Sequence, residues 1–176
     1  MFKLTKKSYD NLVGVHQGLV DCVTTAIQLT SIEFQVTEGL RTVARQKQLV
    51  AKGASRTMNS RHLTGNAVDL VALIGGRISW ETELYYPIAE AMKAAAEHHN
   101  VIVTWGAAWN VPDITNWDGT MRSAVKNYIN VRRAANKEVF LDYPHFEVNE
   151  TITKPVYTKK IPMPSNLESL NLFTSN

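Results

Sequence analysis

Ser60-Arg61-His62-Leu63-Thr64-Gly65-Asn66-Ala67-Val68-Asp69 places an imidazole, a glycine turn and a carboxylate at the entry of an apolar run. The stretch Ala67 to Ala72 is predicted as a strand. Alternate side chains of a strand share a face, so Ala67, Asp69 and Val71 point one way while Val68 and Leu70 point toward helices. Asp69 then has only alanine beside it, which leaves space for an ion. His62 lies seven residues before Asp69, an odd separation that would put it on the opposite face of a continuous strand. A glycine at position 65 lets the chain reverse that.

A second segment, Asp142-Tyr143-Pro144-His145-Phe146-Glu147, supplies a second imidazole and two more carboxylates. His145 and Glu147 share one face of a short strand and Phe146 faces the core. Glu147 is placed to accept from the second ring nitrogen of His145, as carboxylates behind metal-binding histidines commonly do. Asp142 precedes His145 across a Tyr-Pro bend that can bring its carboxylate back toward the same point. Two imidazoles, one ligand carboxylate and a further carboxylate are the parts of a catalytic zinc site, which takes three protein ligands and leaves the fourth position to water. Water on zinc has a pKa near about 7, so a neighbouring carboxylate such as Asp142 needs little basicity to take its proton.

The remaining sequence is predicted to surround these segments with helices. Leu12, Val15, Leu19, Val23, Ala26 and Ile27 recur at helical spacing and predict one helix from Ser8, its N-cap, to Leu29. Ile32 to Val36 alternates as a strand, and Val43 to Lys52 is a helix closed by Gly53. Gly75-Gly76 is a hairpin connection. A helix from Trp80 to His99 follows, with Ser79 as cap and Asn100 past its end; then come a strand Val101–Trp105, a loop from Gly106 to Asp118, a helix from Thr120 to Ala135 and a strand from His145 to Val148. Helices set beside hairpin-linked strands indicate an α+β fold with a small antiparallel sheet. Residues 1–150 are read as one catalytic domain and residues 151–176, rich in Pro, Ser, Thr and Asn, as an extended tail.

Bulk composition narrows the class. The chain has 176 residues, enough to bury a core without metal or disulfide staples, so a metal here serves chemistry. Cys22 is the only cysteine, which excludes an intramolecular disulfide and a thiolate zinc cluster; it is read as a small buried hydrophobe. The net charge of +3 comes without an arginine-aromatic motif, and nucleic acid is not expected as a partner. No segment approaches the roughly 20 apolar residues of a membrane span, and the polar Asn11, His16, Gln17 and Asp21 interrupt any signal-peptide core. His16, His98 and His99 are read as structural, and the basic residues Arg122, Lys126, Arg132 and Arg133 as a solvated helix face.

The two segments resemble the VanY-type zinc peptidases, a group of D-alanyl-D-alanine carboxypeptidases and phage endolysin L-alanyl-D-glutamate peptidases whose fold is shared with the Hedgehog signalling domain. The resemblance implies His62, Asp69 and His145 as ligands of Zn2+ and Asp142 as the catalytic base, an Asp as in the endolysin branch. Glu38-Gly39-Leu40-Arg41-Thr42 and Gln46 resemble the Gly-x-Arg-Thr segment of that family, which implies Arg41 as the residue that polarises the scissile carbonyl. Trp105-Gly106-Ala107-Ala108-Trp109 corresponds to an aromatic segment expected to wall the substrate groove.

The resemblance implies a zinc-dependent peptidoglycan endopeptidase expected to cleave the L-alanyl-D-glutamate bond and to serve phage lysis. It is expected as a monomer without a membrane anchor, made in the host cytoplasm and meeting the wall once the membrane is opened. The alternatives are a D-alanyl-D-alanine carboxypeptidase and a non-catalytic wall-binding or virion module of the same fold.

Overall fold

The computed structural model describes residues 1–148; the tail expected over 151–176 lies outside the described residues. Five helices, α1 (Lys6–Leu12), α2 (Gln17–Leu29), α3 (Val43–Ala51), α4 (Tyr85–His99) and α5 (Met121–Ala134), accompany five strands, β1 (Phe34–Glu38), β2 (Ala67–Ile74), β3 (Arg77–Ser79), β4 (Val103–Trp105) and β5 (His145–Val148). The architecture is α+β, with every strand pair antiparallel. The order β1-β2-β5-β4 puts β2 at the centre, and β3 continues its hairpin partner's far end.

One face of β2 is buried in the core, and the other, through Asp69 and Val71, lines a groove. Val68, Leu70 and Ala72 face the core with Phe146 and Val148 from β5 and Trp105 from β4, all buried. Trp105 stacks on Phe146 with ring centroids 6.0 Å apart. Beneath the sheet α2 lies against α4, the most extensive helix contact, where Cys22, Val23 and Ala26 meet a surface including Ala89, Met92 and Ala96. Small side chains there let the helices approach closely.

The expected single helix from Ser8 to Leu29 is two helices. Gly14 adopts φ +79° between them and breaks the ladder. A Cβ on Gly65, itself at φ +73°, would fall 2.2 Å from the Gly14 carbonyl oxygen, and His16 N donates to Gly65 O at 2.9 Å. The chain bends so that one glycine turn can seat the other. Thr5, not Ser8, caps α1 by accepting from Ser8 N. Ser8 is instead buried, its Oγ accepting from Val36 N at 3.2 Å, and Asn11 donates to the carbonyls of Val36 and Thr37. Side chains of α1 thereby serve the outer edge of β1 where no strand follows, which is how an edge strand is kept from pairing elsewhere.

Other boundaries shift for identifiable reasons. Ala72 pairs with Ser79, so β3 extends through the expected cap, and α4 begins at Tyr85 after a 3-10 turn, Thr82–Leu84. Pro87 then sits in the first turn, where its missing N–H costs no bond. Trp80 is left 68% exposed instead of opening a helix. The strand expected over 101–105 is confined to Val103–Trp105, the helix expected from Thr120 starts one residue later with Thr120 as its cap, and a 3-10 turn, Ile114–Asn116, lies in the expected loop.

Candidate active site

His62 and Asp69 reach one another because a 3-10 turn, Arg61–Thr64, precedes Gly65. The Ser60 hydroxyl caps it by accepting from His62 N. His145 arrives on β5, where it pairs directly with Asp69 of β2. His62 Nε2 lies 3.2 Å from Asp69 Oδ1 and 3.3 Å from His145 Nδ1, and His145 Nδ1 lies 3.3 Å from Asp69 Oδ1.

The three atoms form a nearly equilateral triangle. Bonds of about 2.0–2.1 Å to a tetrahedral ion imply ligand separations of about 3.3–3.4 Å, so the triangle has the size of one tetrahedral face. The tautomers point the same way. His62 Nδ1 donates to Gly39 O at 2.8 Å and His145 Nε2 donates to Glu147 Oε2 at 3.0 Å. Each ring therefore turns a lone pair toward Asp69. Three acceptors facing one another without a donor repel unless a cation or a proton lies among them, and the nitrogen–oxygen set suits a divalent ion.

Without a metal, a proton takes that place. Burial pulls the His145 pKa down, but its hydrogen bonds to Asp69 and Glu147 outweigh this and raise it to about 9. Burial pushes the Asp69 carboxyl up, yet the two imidazoles outweigh burial and hold it well below the usual carboxylate range.

Arg41 is buried against the cluster. It donates to Gln46 Oε1 and to Glu38 Oε2, both at 2.7 Å, and its third approach is 3.5 Å to Asp69 Oδ2. Gln46, fully buried, also donates to Ser55 and Thr57 and so ties α3 to the loop beyond it. Arg41 Nε is buried without an acceptor among the described residues.

Asp142 lines the same groove as the triad. Its carboxylate hydrogen-bonds to no other described residue, and burial, reinforced by the nearby Asp69 charge and opposed by the imidazoles and Arg41, raises its pKa. Gly106 makes this possible. Its N–H donates to His145 O and its carbonyl accepts from Asp142 N, while a Cβ there would come 2.5 Å from Asp142 O. Only a residue without a side chain lets β4 run this close beneath the bend.

Of the two tryptophans expected to wall the groove, only Trp109 does so, its ring 5.6 Å from His145 and stacked on Phe140. Trp105 is a core residue whose Nε1 donates to Tyr143 O. Trp80, Phe140, Arg56 and Arg61 also line the groove, and the sequence carried no periodic signal to single them out. His99 is bonded to Thr25, and neither it, His16 nor His98 joins the cluster.

The fold and this cluster define a small α+β domain with a groove in which His62, Asp69 and His145 could hold a metal ion. Residues 1–148 match the phage L-alanyl-D-glutamate peptidase family, and the chain belongs to it; the protein is a peptidase. It is 32% identical over 113 residues to the L-alanyl-D-glutamate peptidase of Escherichia phage T5, covering 62% of this chain and 82% of that one. It is 34% identical over 104 residues to the L-alanyl-D-glutamate peptidase of Listeria phage A118, covering 59% of this chain but 34% of that longer protein. The crystal structure of the L-Ala D-Glu endopeptidase ChiX from Serratia marcescens superposes with a TM-score of 0.63 at 36% identity, covering 84% of this chain and 90% of that one.

Proposed function

We propose that this protein cleaves the L-alanyl-D-glutamate bond of bacterial peptidoglycan stems with one Zn2+ held by His62, Asp69 and His145. The observation that carries the metal is the triangle of three convergent acceptors; the similarity to peptidases of that bond supports the substrate. Bound there, zinc supplies Lewis acidity and a water acidic enough to attack at neutral pH.

The chain's own residues supply the rest. Asp142, with its pKa raised and its carboxylate uncommitted, takes the proton of the attacking water and returns it to the leaving amide nitrogen. Glu147 holds the His145 ring in the tautomer that presents Nδ1. Arg41, fixed by Glu38 and Gln46, keeps a buried N–H without an acceptor, and opposes the charge that develops on the scissile carbonyl oxygen.

No helix of the described residues is long and apolar enough to cross a membrane. The enzyme acts on the wall as a lysis protein once the membrane has been opened.

Mass analysis of peptidoglycan digests tests this reading. A new amino terminus on D-glutamate supports it. Released D-alanine would assign the carboxypeptidase activity instead, and an intact wall would assign a binding module.

A further inference from the structure

The groove is lined by four arginines, Arg41, Arg45, Arg56 and Arg61, and four acids, Glu38, Asp69, Asp142 and Glu147. Two of the arginines are committed. Arg41 is held as described, and Arg56 donates to Glu138 at 2.9 Å and lies 4.7 Å over the Phe140 ring.

The other two are ion-paired but make no side-chain hydrogen bond to another described residue. Arg45 Nε stands 3.6 Å from Glu38 Oε1 and Arg61 Nε stands 3.9 Å from Glu147 Oε1, both beyond hydrogen-bond reach. Those carboxylates already serve Arg41 and His145. Neither guanidinium donates to another described residue, and their side chains are 50% and 42% exposed. They flank the triad, Arg45 beside Glu38 of β1 and Arg61 beside Glu147 of β5, with Asp69 on β2 between them.

This inference rests on the proposed substrate. With Glu138, the partner of Arg56, four positive and five negative side chains stand at the groove, so a dication leaves an excess of one positive charge. In a stem that continues through the glutamate side-chain carboxyl, the α-carboxylate is free and sits on the carbon that bears the scissile nitrogen. An anion therefore enters within one carbon of the reacting bond.

We propose that Arg45 and Arg61 are the carboxylate-binding residues of the groove and make the enzyme select stems with a free glutamate α-carboxylate over stems in which it is an α-amide. A guanidinium pairs with a carboxylate through charged hydrogen bonds, whereas a carboxamide offers one neutral acceptor.

The test uses two synthetic stem peptides that differ only in α-carboxylate or α-carboxamide on D-glutamate. Their kcat/KM ratio is measured for the wild type, Arg45→Gln, Arg61→Gln and the double variant. The wild type is expected to favour the acid by about ten- to a hundredfold, and the double variant to bring the ratio near one. Calorimetry should show the same loss for the acid form of the glutamate-containing product and none for its amide. Both positions are solvent-accessible, and thermal melts check that the variants fold.

A wild type that cleaves both peptides equally, or a double variant that keeps the wild-type ratio, overturns the inference alone. Cleavage of neither peptide at the alanyl-glutamate bond overturns the substrate assignment, and this inference with it.

Discussion

His62 Nδ1 lies 2.8 Å from the carbonyl oxygen of Gly39, and this contact turns the ring so that Nε2 faces Asp69. Glu147 does the same for His145 from the other side. The cluster is thus set by two acceptors that never touch its centre.

Removing one of them should loosen the site without dismantling it. Glu147→Ala is expected to weaken metal affinity by about 10–100-fold, read by competition with a chromogenic chelator. Unchanged affinity would mean that the His145 ring needs no such support.

Asp142→Asn should keep the metal and lose the reaction. The expected fall in kcat is about 10²–10⁴-fold, with metal content by mass spectrometry near wild type. The acid limb of the wild-type pH profile should carry the Asp142 titration, which burial raises and a bound dication would lower. Activity should fall as pH drops through it and the base becomes protonated.

Stability of the metal-free protein should depend on pH in a direction fixed by His145. Its folded pKa of about 9 exceeds the ordinary 6.5, so protonation stabilises the fold fully below pH 6.5 and this contribution is lost as pH rises toward 9. Asp69, held low, acts oppositely: its contribution is present above the ordinary 3.8 and lost in acid. Thermal melts of chelator-treated protein should therefore decline between pH 6.5 and 9. A flat profile over that range would remove the proposed proton from the cluster.

Gly106→Ala should harm both fold and site. The added methyl meets the Asp142 backbone oxygen at 2.5 Å, and a clash with backbone on this scale costs about 1–3 kcal/mol. Urea denaturation reads that loss, and activity should drop further than stability because the Asp142-to-His145 bend must move.

The sequence was informative where chemistry is local. The Gly65 turn, the alternation through Asp69 and the pairing of His145 with Glu147 are each encoded within a few residues, and the structure reproduces these placements. It was silent where a contact spans the chain. Ser8 carried a capping signal but spends its hydroxyl on Val36. Gly14 was hidden inside a helical period because its partner is Gly65. Trp105 and Trp109 look alike in sequence, but Trp105 is paired opposite Phe146 within β4 whereas Trp109 lies past the strand, with its ring beside His145.

The most direct measurement is a peptidoglycan digest by purified protein, metal-loaded, chelator-stripped and zinc-restored, with products identified by mass. The account predicts D-glutamate amino termini in the loaded and restored samples and none in the stripped one. Undiminished cleavage by stripped protein, or D-alanine as the product, would contradict it.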